Sequence, residues 1–407
     1  MTGETTGETS GNGASSLVDW LLDQGLRGRT LEDLLPPLVE RLTADGMAIA
    51  RFHLSGTILH PDYGAFSRTW YRDQDFVSEE FPHDSSDEVW RRSPLYYAVS
   101  HKLDMMHCDL RDPAEQARFP VFAELAAQGM TDYIALTVGF GETPDGETGT
   151  SETGSGVVVS MATDDPDGFS DYDVETLRAL WRPLGLVAKV AIFKRVSQTI
   201  LTTYLGRDPG LRVLEGQIRR GMAQTINAAI LFADLRGFTS LADVMPRDRL
   251  VLMLDDYLDA MAAPVDEVGG QVLKFMGDGM LATFALDGAD PSAVCRAALE
   301  AAMEAQARVA KLNAARENGA GMALDVALHV GEVMYGNVGS RSRLDFTVIG
   351  PAVNEASRME NLCTPLDCGV VISRPFIDAV GDTGRFRCLG PQTLRGLATP
   401  RELFTLA

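Results

Sequence analysis

The sequence predicts an α+β protein in more than one part, and three observations carry that reading. Ile230-Leu-Phe-Ala runs straight into Asp234, and a Gly-containing turn follows before an amphipathic run opens at Thr239. That is a buried strand delivering a carboxylate to its end, then a helix start with free backbone N–H groups. Apolar runs also flank Gly277-Asp278-Gly279, the pattern of a β-hairpin with a second carboxylate at its tip. Around them lie helical periodicities over Arg247–Val268 and an Ala-rich Ser292–Asn318. Strands and helices mixed with antiparallel hairpins make an α+β layout of the ferredoxin-like kind.

A chain of 407 residues is long enough for two or three domains, each with its own core. Its 45% hydrophobic and 23% charged content is that of an ordinary globular protein. The net charge of −21 argues against nucleic acid as a partner, and against an anionic membrane surface. A polyphosphate ligand would therefore need local positive charge or metal ions. Cys108, Cys295, Cys363, Cys368 and Cys388 are scattered, odd in number and without a CxxC pair, which reads as reduced thiols rather than a zinc site. No apolar run approaches the roughly 18 residues that span a bilayer, and no leader pattern opens the chain. The sequence thus predicts a cytoplasmic protein with no membrane span.

Residues 1–16 are Thr, Gly, Glu and Ser with Thr-Gly-Glu-Thr repeated, a composition that predicts a disordered tail. Leu17 to Leu42 then carries apolar residues at threes and fours, predicting two helices, the second capped by Thr30. Met47 to Leu54 reads as a strand, and so do Ile134–Phe140 and Gly156–Ala162. Between the last two, Gly141 to Ser155 is a Gly/Thr/Glu loop. The stretch from His60 to Met106 mixes aromatics and charges without a clear period. Phe169-Ser-Asp-Tyr-Asp opens a long helix through Ile192. A strand, that acidic helix start and a long helix resemble the closing half of a GAF-type sensory domain, over residues 17–190; a PAS-like or unrelated α+β sensor is the competing reading. His53, His60, His83, His101 and His107 fall here without paired spacing, which favours structural histidines over a haem or metal sensor. The aromatics suit a core better than a ligand pocket. Residues 191–225 read as a helical linker, broken at Arg207-Asp-Pro-Gly210 and resuming over Leu211 to Met222, placed to transmit a signal.

Residues 226–407 hold the chemistry. Besides the two Asp blocks they carry strands predicted at Ala323–Val330 and Glu332–Val338, joined as a hairpin, then Asp345–Ile349. Gly350-Pro351 open a helix, Pro at a first-turn position where its missing N–H costs nothing. Asn354 and Arg358 lie four apart on one face of it. These three blocks, in this order and spacing, resemble the catalytic domain of the class III adenylate/guanylate cyclases, whose fold is palm-like. The resemblance covers Ala229 to the C-terminus.

It implies cyclisation of a nucleoside triphosphate, the ribose 3′-hydroxyl attacking the α-phosphorus as pyrophosphate leaves. Asp234 and Asp278 match the family's ligands for two Mg²⁺ or Mn²⁺ ions. Leu235, Arg236, Gly237, Phe238 and Thr239 would cradle the triphosphate with backbone N–H groups. Asn354 matches the residue that orients the ribose, and Arg358 the one that stabilises charge in the transition state. Taken alone, Arg358 would read as a surface pair with Glu355 or Glu360. Leu394-Arg-Gly resembles the family's basic-Gly turn, so Arg395 is a further triphosphate candidate. His329 reads as structural. Lys274 stands where adenylate-type members carry Lys and guanylate-type members Glu. With Thr347 as acceptor it suits adenine, which offers an N1 acceptor and an N6 donor. Thr347 departs from the common Asp, as does a subgroup with some bicarbonate-responsive members; Pro351, where Asp is common, is a benign departure.

In the family one site draws its metal ligands and its base- and ribose-binding residues from two domains. This chain carries both sets, which implies a homodimer with composite sites. The resulting expectation is an adenylate cyclase acting on ATP, with an unknown small-molecule or protein signal at the N-terminal domain. Guanylate or dual specificity, and a nucleotide-binding pseudoenzyme acting through dimerisation, are the alternatives.

Overall fold

In the computed structural model, residues 10–83, 87–140, 156–243, 245–316, 321–381 and 384–407 are described. The chain divides into two units, Met1–Ile200 and Leu201–Ala407.

The first unit runs α1 (Ser10–Leu26), α2 (Leu31–Ala44), β1 (Arg51–Thr57), β2 (Tyr63–Tyr71), β3 (Val77–Pro82), α3 (Asp87–Arg91), α4 (Pro94–Ser100) and β4 (Met105–Asp109). It continues with α5 (Pro113–Gln116), α6 (Pro120–Ala127), β5 (Asp132–Gly139), β6 (Gly156–Thr163) and α7 (Asp171–Leu205). Among the described residues its strands form a six-stranded sheet ordered β3-β2-β1-β6-β5-β4, antiparallel throughout. The pleat of β6 shows how the core is divided. Val157, Val159 and Met161 face one way, into a cluster with Leu34, Leu38, Leu180 and Leu184 of the long helices. Val158 and Ala162 face the other way, among Phe122, Leu125 and Tyr133. Each such buried Leu or Phe contributes about 1.5–3 kcal/mol.

Helix starts follow local chemistry. Thr30 accepts the Asp33 N–H as predicted. Ser170 and Asp173 cap α7 reciprocally, the Asp173 N–H donating to Ser170 Oγ at 3.2 Å and the Ser170 N–H to Asp173 Oδ2 at 2.9 Å. Three readings shift. Helix α1 reaches back to Ser10, into the stretch read as tail, while residues 1–9 lie outside the described ones. The first strand starts at Arg51 rather than Met47. The region that lacked a period, His60 to Met106, is short strands and one- or two-turn helices, too brief to show one. The loop predicted at Gly141 to Ser155 also lies outside the described residues.

Past α7, Gly206 sits at φ 89° and starts α8 (Arg207–Leu214). The predicted break at Arg207–Gly210 is therefore a helix start, because Pro209 falls in a first turn where no N–H is required. Nor does the helix resume to Met222: it stops at Leu214, with Gly216 at φ 91° and Gly221 at φ 79° beyond it. Arg212 pairs with Asp208 at 2.7 Å, one turn back on the same helix.

The second unit continues with β7 (Ala223–Arg236), α9 (Phe238–Ala242), α10 (Arg247–Glu267), β8 (Gln271–Met276), β9 (Gly279–Ala285), α11 (Pro291–Ala314) and β10 (Ala323–Gly339). Then come β11 (Leu344–Ile349), α12 (Pro351–Glu360), β12 (Val370–Ser373), α13 (Arg374–Val380), β13 (Phe386–Gln392) and β14 (Arg401–Leu406). Among the described residues the sheet order is β13-β14-β12-β10-β7-β9-β8, with β11 paired to β10. The inner β10-β7-β9-β8 arrangement, with α10 and α11 as crossovers, is the ferredoxin-like order the sequence predicted. Tyr257, Met261 and Val265 of α10 and Ala298 and Ala302 of α11 bury one sheet face. Helix α12 covers part of the other through Ala352 and Ala356.

The hairpin predicted at Gly331 does not form. β10 is one strand that pairs with β7 from Ala323 to Gly336 without interruption. Gly331 has another use: a Cβ there would come within 2.5 Å of the Ala352 side chain, so its bareness lets α12 lie on the strand. The turn comes at residues 340–343, between β10 and β11.

Candidate active site

Register puts the two predicted metal ligands side by side. Asp234 lies near the end of β7, across from Gly279 on one neighbour and Asp325 on the other. Asp278 occupies the two-residue turn between β8 and β9, after Gly277 at φ 71°, a position that favours glycine. A Cβ on Gly279 would stand 2.8 Å from Asp234 Oδ1, so a glycine keeps space open beside that carboxylate. Among the described residues neither the Asp234 nor the Asp278 side chain has a hydrogen bond or ion pair. Burial, then the charges of Asp278 and Asp325, push the Asp234 carboxyl up to about 6. Two oxygen-donor side chains, close enough to repel and without a protein cation, fit divalent ions of the Mg²⁺ type.

Two carboxylates that the sequence reading passed over belong to the same neighbourhood. Asp325 is buried and held by Arg236 through Nε at 2.9 Å and Nη2 at 2.5 Å, with Thr364 Oγ1 donating at 3.3 Å. The Arg236 side chain is thus committed inside the fold, leaving its backbone as what it could offer a phosphate. Glu360, at the end of α12, is raised to about 7 by burial and by Asp234, Asp325 and Asp278, against the lowering effect of Arg236. An acid inside Ala323-Leu-Asp-Val-Ala-Leu, an otherwise apolar strand, was the signal for Asp325. Nothing in the local sequence singled out Glu360.

The turn after β7 has Gly237 in the left-handed region at φ 98°, leading into α9, which no side chain caps. Leu235 is buried, Phe238 partly so, and Thr239 exposed.

Lys274 is exposed on β8, opposite Leu281. Thr347 is buried on β11, opposite Gly336, and among the described residues its hydroxyl has no hydrogen-bond partner. β8 and β11 lie against each other. Phe346 and Val348 share one cluster, so the pleat turns Thr347 to the other side of β11, while a register shift between Val272 and Lys274 interrupts the alternation of β8. An unpaired buried hydroxyl costs about 1–3 kcal/mol, which a ligand's hydrogen bond would recover.

Helix α12 presents Asn354 exposed and Arg358 half-buried one turn on. Arg358 does not form the surface pair a lone reading would give it. Glu355 is taken by Arg401 of β14 at 2.8 Å, and Arg358 has no ion pair among the described residues. Its guanidinium lies over Gly396, where an added Cβ would be 3.7 Å from Nη2. The Leu394-Arg-Gly turn therefore touches Arg358, while Arg395 itself is exposed. His329 is buried beneath α12, where burial lowers its pKa.

The profile of the family described as "Adenylate and Guanylate cyclase catalytic domain" matches residues 221–396. This chain carries a class III cyclase catalytic domain. The cyclase domain is 37% identical over 166 residues to an adenylate cyclase of Anabaena cylindrica, covering 39% of this chain and 32% of that protein. Adenylate cyclase 2 of Rhizobium meliloti is 32% identical over 224 residues, covering 55% of this chain and 59% of the relative. Among solved structures, the adenylyl cyclase CyaB from P. aeruginosa aligns with a TM-score of 0.42 at 24% identity, over 46% of this chain and 95% of that one. The chain spans about a third of the length of the curated relatives it matches first. Among the described residues no helix is long and apolar enough to cross a membrane.

Proposed function

We propose that the protein is an adenylate cyclase, converting ATP to 3′,5′-cyclic AMP and pyrophosphate in the cytoplasm, and that it works as a homodimer under a GAF-like sensory unit. The observation that carries the reading is the unpartnered Asp234–Asp278 pair beside the Gly237 turn. Asp234 and Asp278 would hold two divalent ions, which when bound lower the pKa of the ribose 3′-hydroxyl and screen the triphosphate. Backbone N–H groups from Leu235 to Thr239 would grip the phosphates. The Arg358 guanidinium, free of a carboxylate and seated on Gly396, suits charge growing on the α-phosphoryl oxygens. Asn354 would orient the ribose, and Arg395, exposed in its turn, would reach for the phosphates.

Adenine preference rests on Lys274 and the orphan Thr347 hydroxyl. Lys274 donates to N1, and Thr347 accepts from N6. Guanine reverses both requirements. The chain carries both residue groups, so two copies could each lend one group to a shared site.

The test is product analysis with ATP or GTP plus Mg²⁺ or Mn²⁺. Cyclic AMP from ATP alone, abolished by Asp278→Ala, is the expected result. Cyclic GTP-derived product at a comparable rate would overturn the base assignment, and no product with either nucleotide would favour a pseudoenzyme. Mixing Asp278→Ala with Arg358→Ala, each inactive alone, should restore activity; failure to do so would remove the shared-site arrangement.

A further inference from the structure

The N-terminal unit contains a cavity of about 400 Å³ where the end of α3 meets the loop between α5 and α6. Its walls include Arg91, Arg92 and Arg118, together with Gln116, Phe119 and Pro120, and among the described residues no carboxylate lines it. Three guanidiniums around one hollow stand out in a chain of net charge −21. Their orientation is fixed to different degrees. Arg118 is held by Glu115 at 2.6 Å and lies over the rings of Tyr97 and Phe119, 5.4 Å from each centroid. Arg92 reaches Glu88 only at 3.9 Å and is two-thirds exposed, so its guanidinium can turn to a ligand. Helix α6 begins at the same wall, at Pro120, with Phe119 as an N-cap that supplies no side-chain hydrogen bond. The positive end of that helix adds to the arginine field.

From this we infer that the cavity is a binding site for a small polyanion, a molecule with two or more carboxylate or phosphoryl groups. Arginine forks take such groups bidentately, and a hollow of this volume lies within the range of small-ligand pockets. Phe119 and Pro120 give the ligand an apolar wall to rest on. The same site would be the point at which the N-terminal unit senses its signal, and binding there does not depend on the cyclase reading.

The experiment is calorimetric titration of the full chain in metal-free buffer, with inorganic phosphate and citrate as separate probes. At least one should bind with Kd below about 1 mM. Tighter citrate than phosphate assigns a polycarboxylate, and the reverse a phosphoryl ligand. Arg92→Ala combined with Arg118→Ala should weaken binding about tenfold or more, while Arg358→Ala leaves it unchanged and so excludes the nucleotide site. Circular dichroism of the double variant checks folding. Should it fail to fold, the exposed Arg92→Glu alone must weaken the same titration about tenfold. No binding of either probe up to about 10 mM, or binding indifferent to the Arg92 variants, overturns the assignment.

Discussion

Arg401 and Glu355 decide how firmly Asn354 and Arg358 are aimed. Glu355 stands on α12 between those two residues, mostly shielded, and its partner Arg401 starts the strand β14. A partly exposed pair of this kind contributes no more than about 1 kcal/mol to stability. Its effect on catalysis should be larger, because a small tilt of α12 displaces the guanidinium proposed for the transition state. Arg401→Ala is expected to lower kcat about tenfold with KM little changed and the melting temperature nearly unmoved. Equal losses in kcat and folding would deny it a positioning role. A second residue-scale outcome concerns His107, whose Nε2 lies 2.7 Å from the buried Asp132. The bond to Asp132, opposed by burial and aided by the charges of Asp132 and Asp109 against Arg178, raises the imidazole above its ordinary 6.5. Because the folded value is the higher one, this contribution is complete below the unfolded pKa and is lost as pH rises through the folded one. Thermal midpoints should fall as pH rises above the ordinary imidazole value of 6.5, and His107→Gln should flatten that slope. At this scale the sequence was most legible where chemistry concentrates. Asp234, Asp278 and Arg358 stand in short motifs with glycine punctuation, whereas Asp325 and Glu360 join the site only through packing.

Gly331 shows what a linear reading misses at the scale of elements. A glycine between two apolar runs reads as a turn, and the physical alternative, a strand that must be bare so that a helix can approach, has the same local signature. The rest of the cyclase domain was readable because its period is strong: α10 and the β8–β9 hairpin lie within a residue or so of the predicted bounds. Helix α13 and strand β13 were not anticipated. The first is under two turns, and the second contains Gly390 and Pro391, which mask its alternation. Gly331→Ala is the direct test of the new role. A Cβ 2.5 Å from the Ala352 side chain forces strand and helix apart, at about 1–3 kcal/mol of overpacking. Activity should fall more than stability suggests, since α12 bears both Asn354 and Arg358. A variant as active and stable as the parent would mean that α12 has room to spare.

At the scale of the whole molecule, every residue assigned to the reaction lies in Leu201–Ala407, which has its own sheet and its own cores. Where that unit begins is a physical question. A fragment starting near Arg212 would seem natural from the sequence, since Arg207–Gly210 reads as a break. The structure argues for an earlier start. Asp208 of α8 accepts the Tyr335 hydroxyl at 2.6 Å as well as Arg212 Nε, and Tyr335 packs edge-on against Phe346 in β11, next to Thr347. Cutting at Arg212 strips the nearer acceptor from a buried phenol, leaving only Gln271 Oε1 at 3.3 Å, on the strand pair that carries Thr347. Residues 201–407 are therefore expected to fold alone and keep metal-dependent cyclase activity. Residues 212–407 should melt lower, by about the 1–3 kcal/mol of an unsatisfied buried group, and show a raised KM for ATP. Parallel melting curves and kinetics of the two fragments decide the matter. Identical behaviour would make α8 a passive tether, and a loss confined to the shorter fragment would place it within the working unit of the cyclase domain.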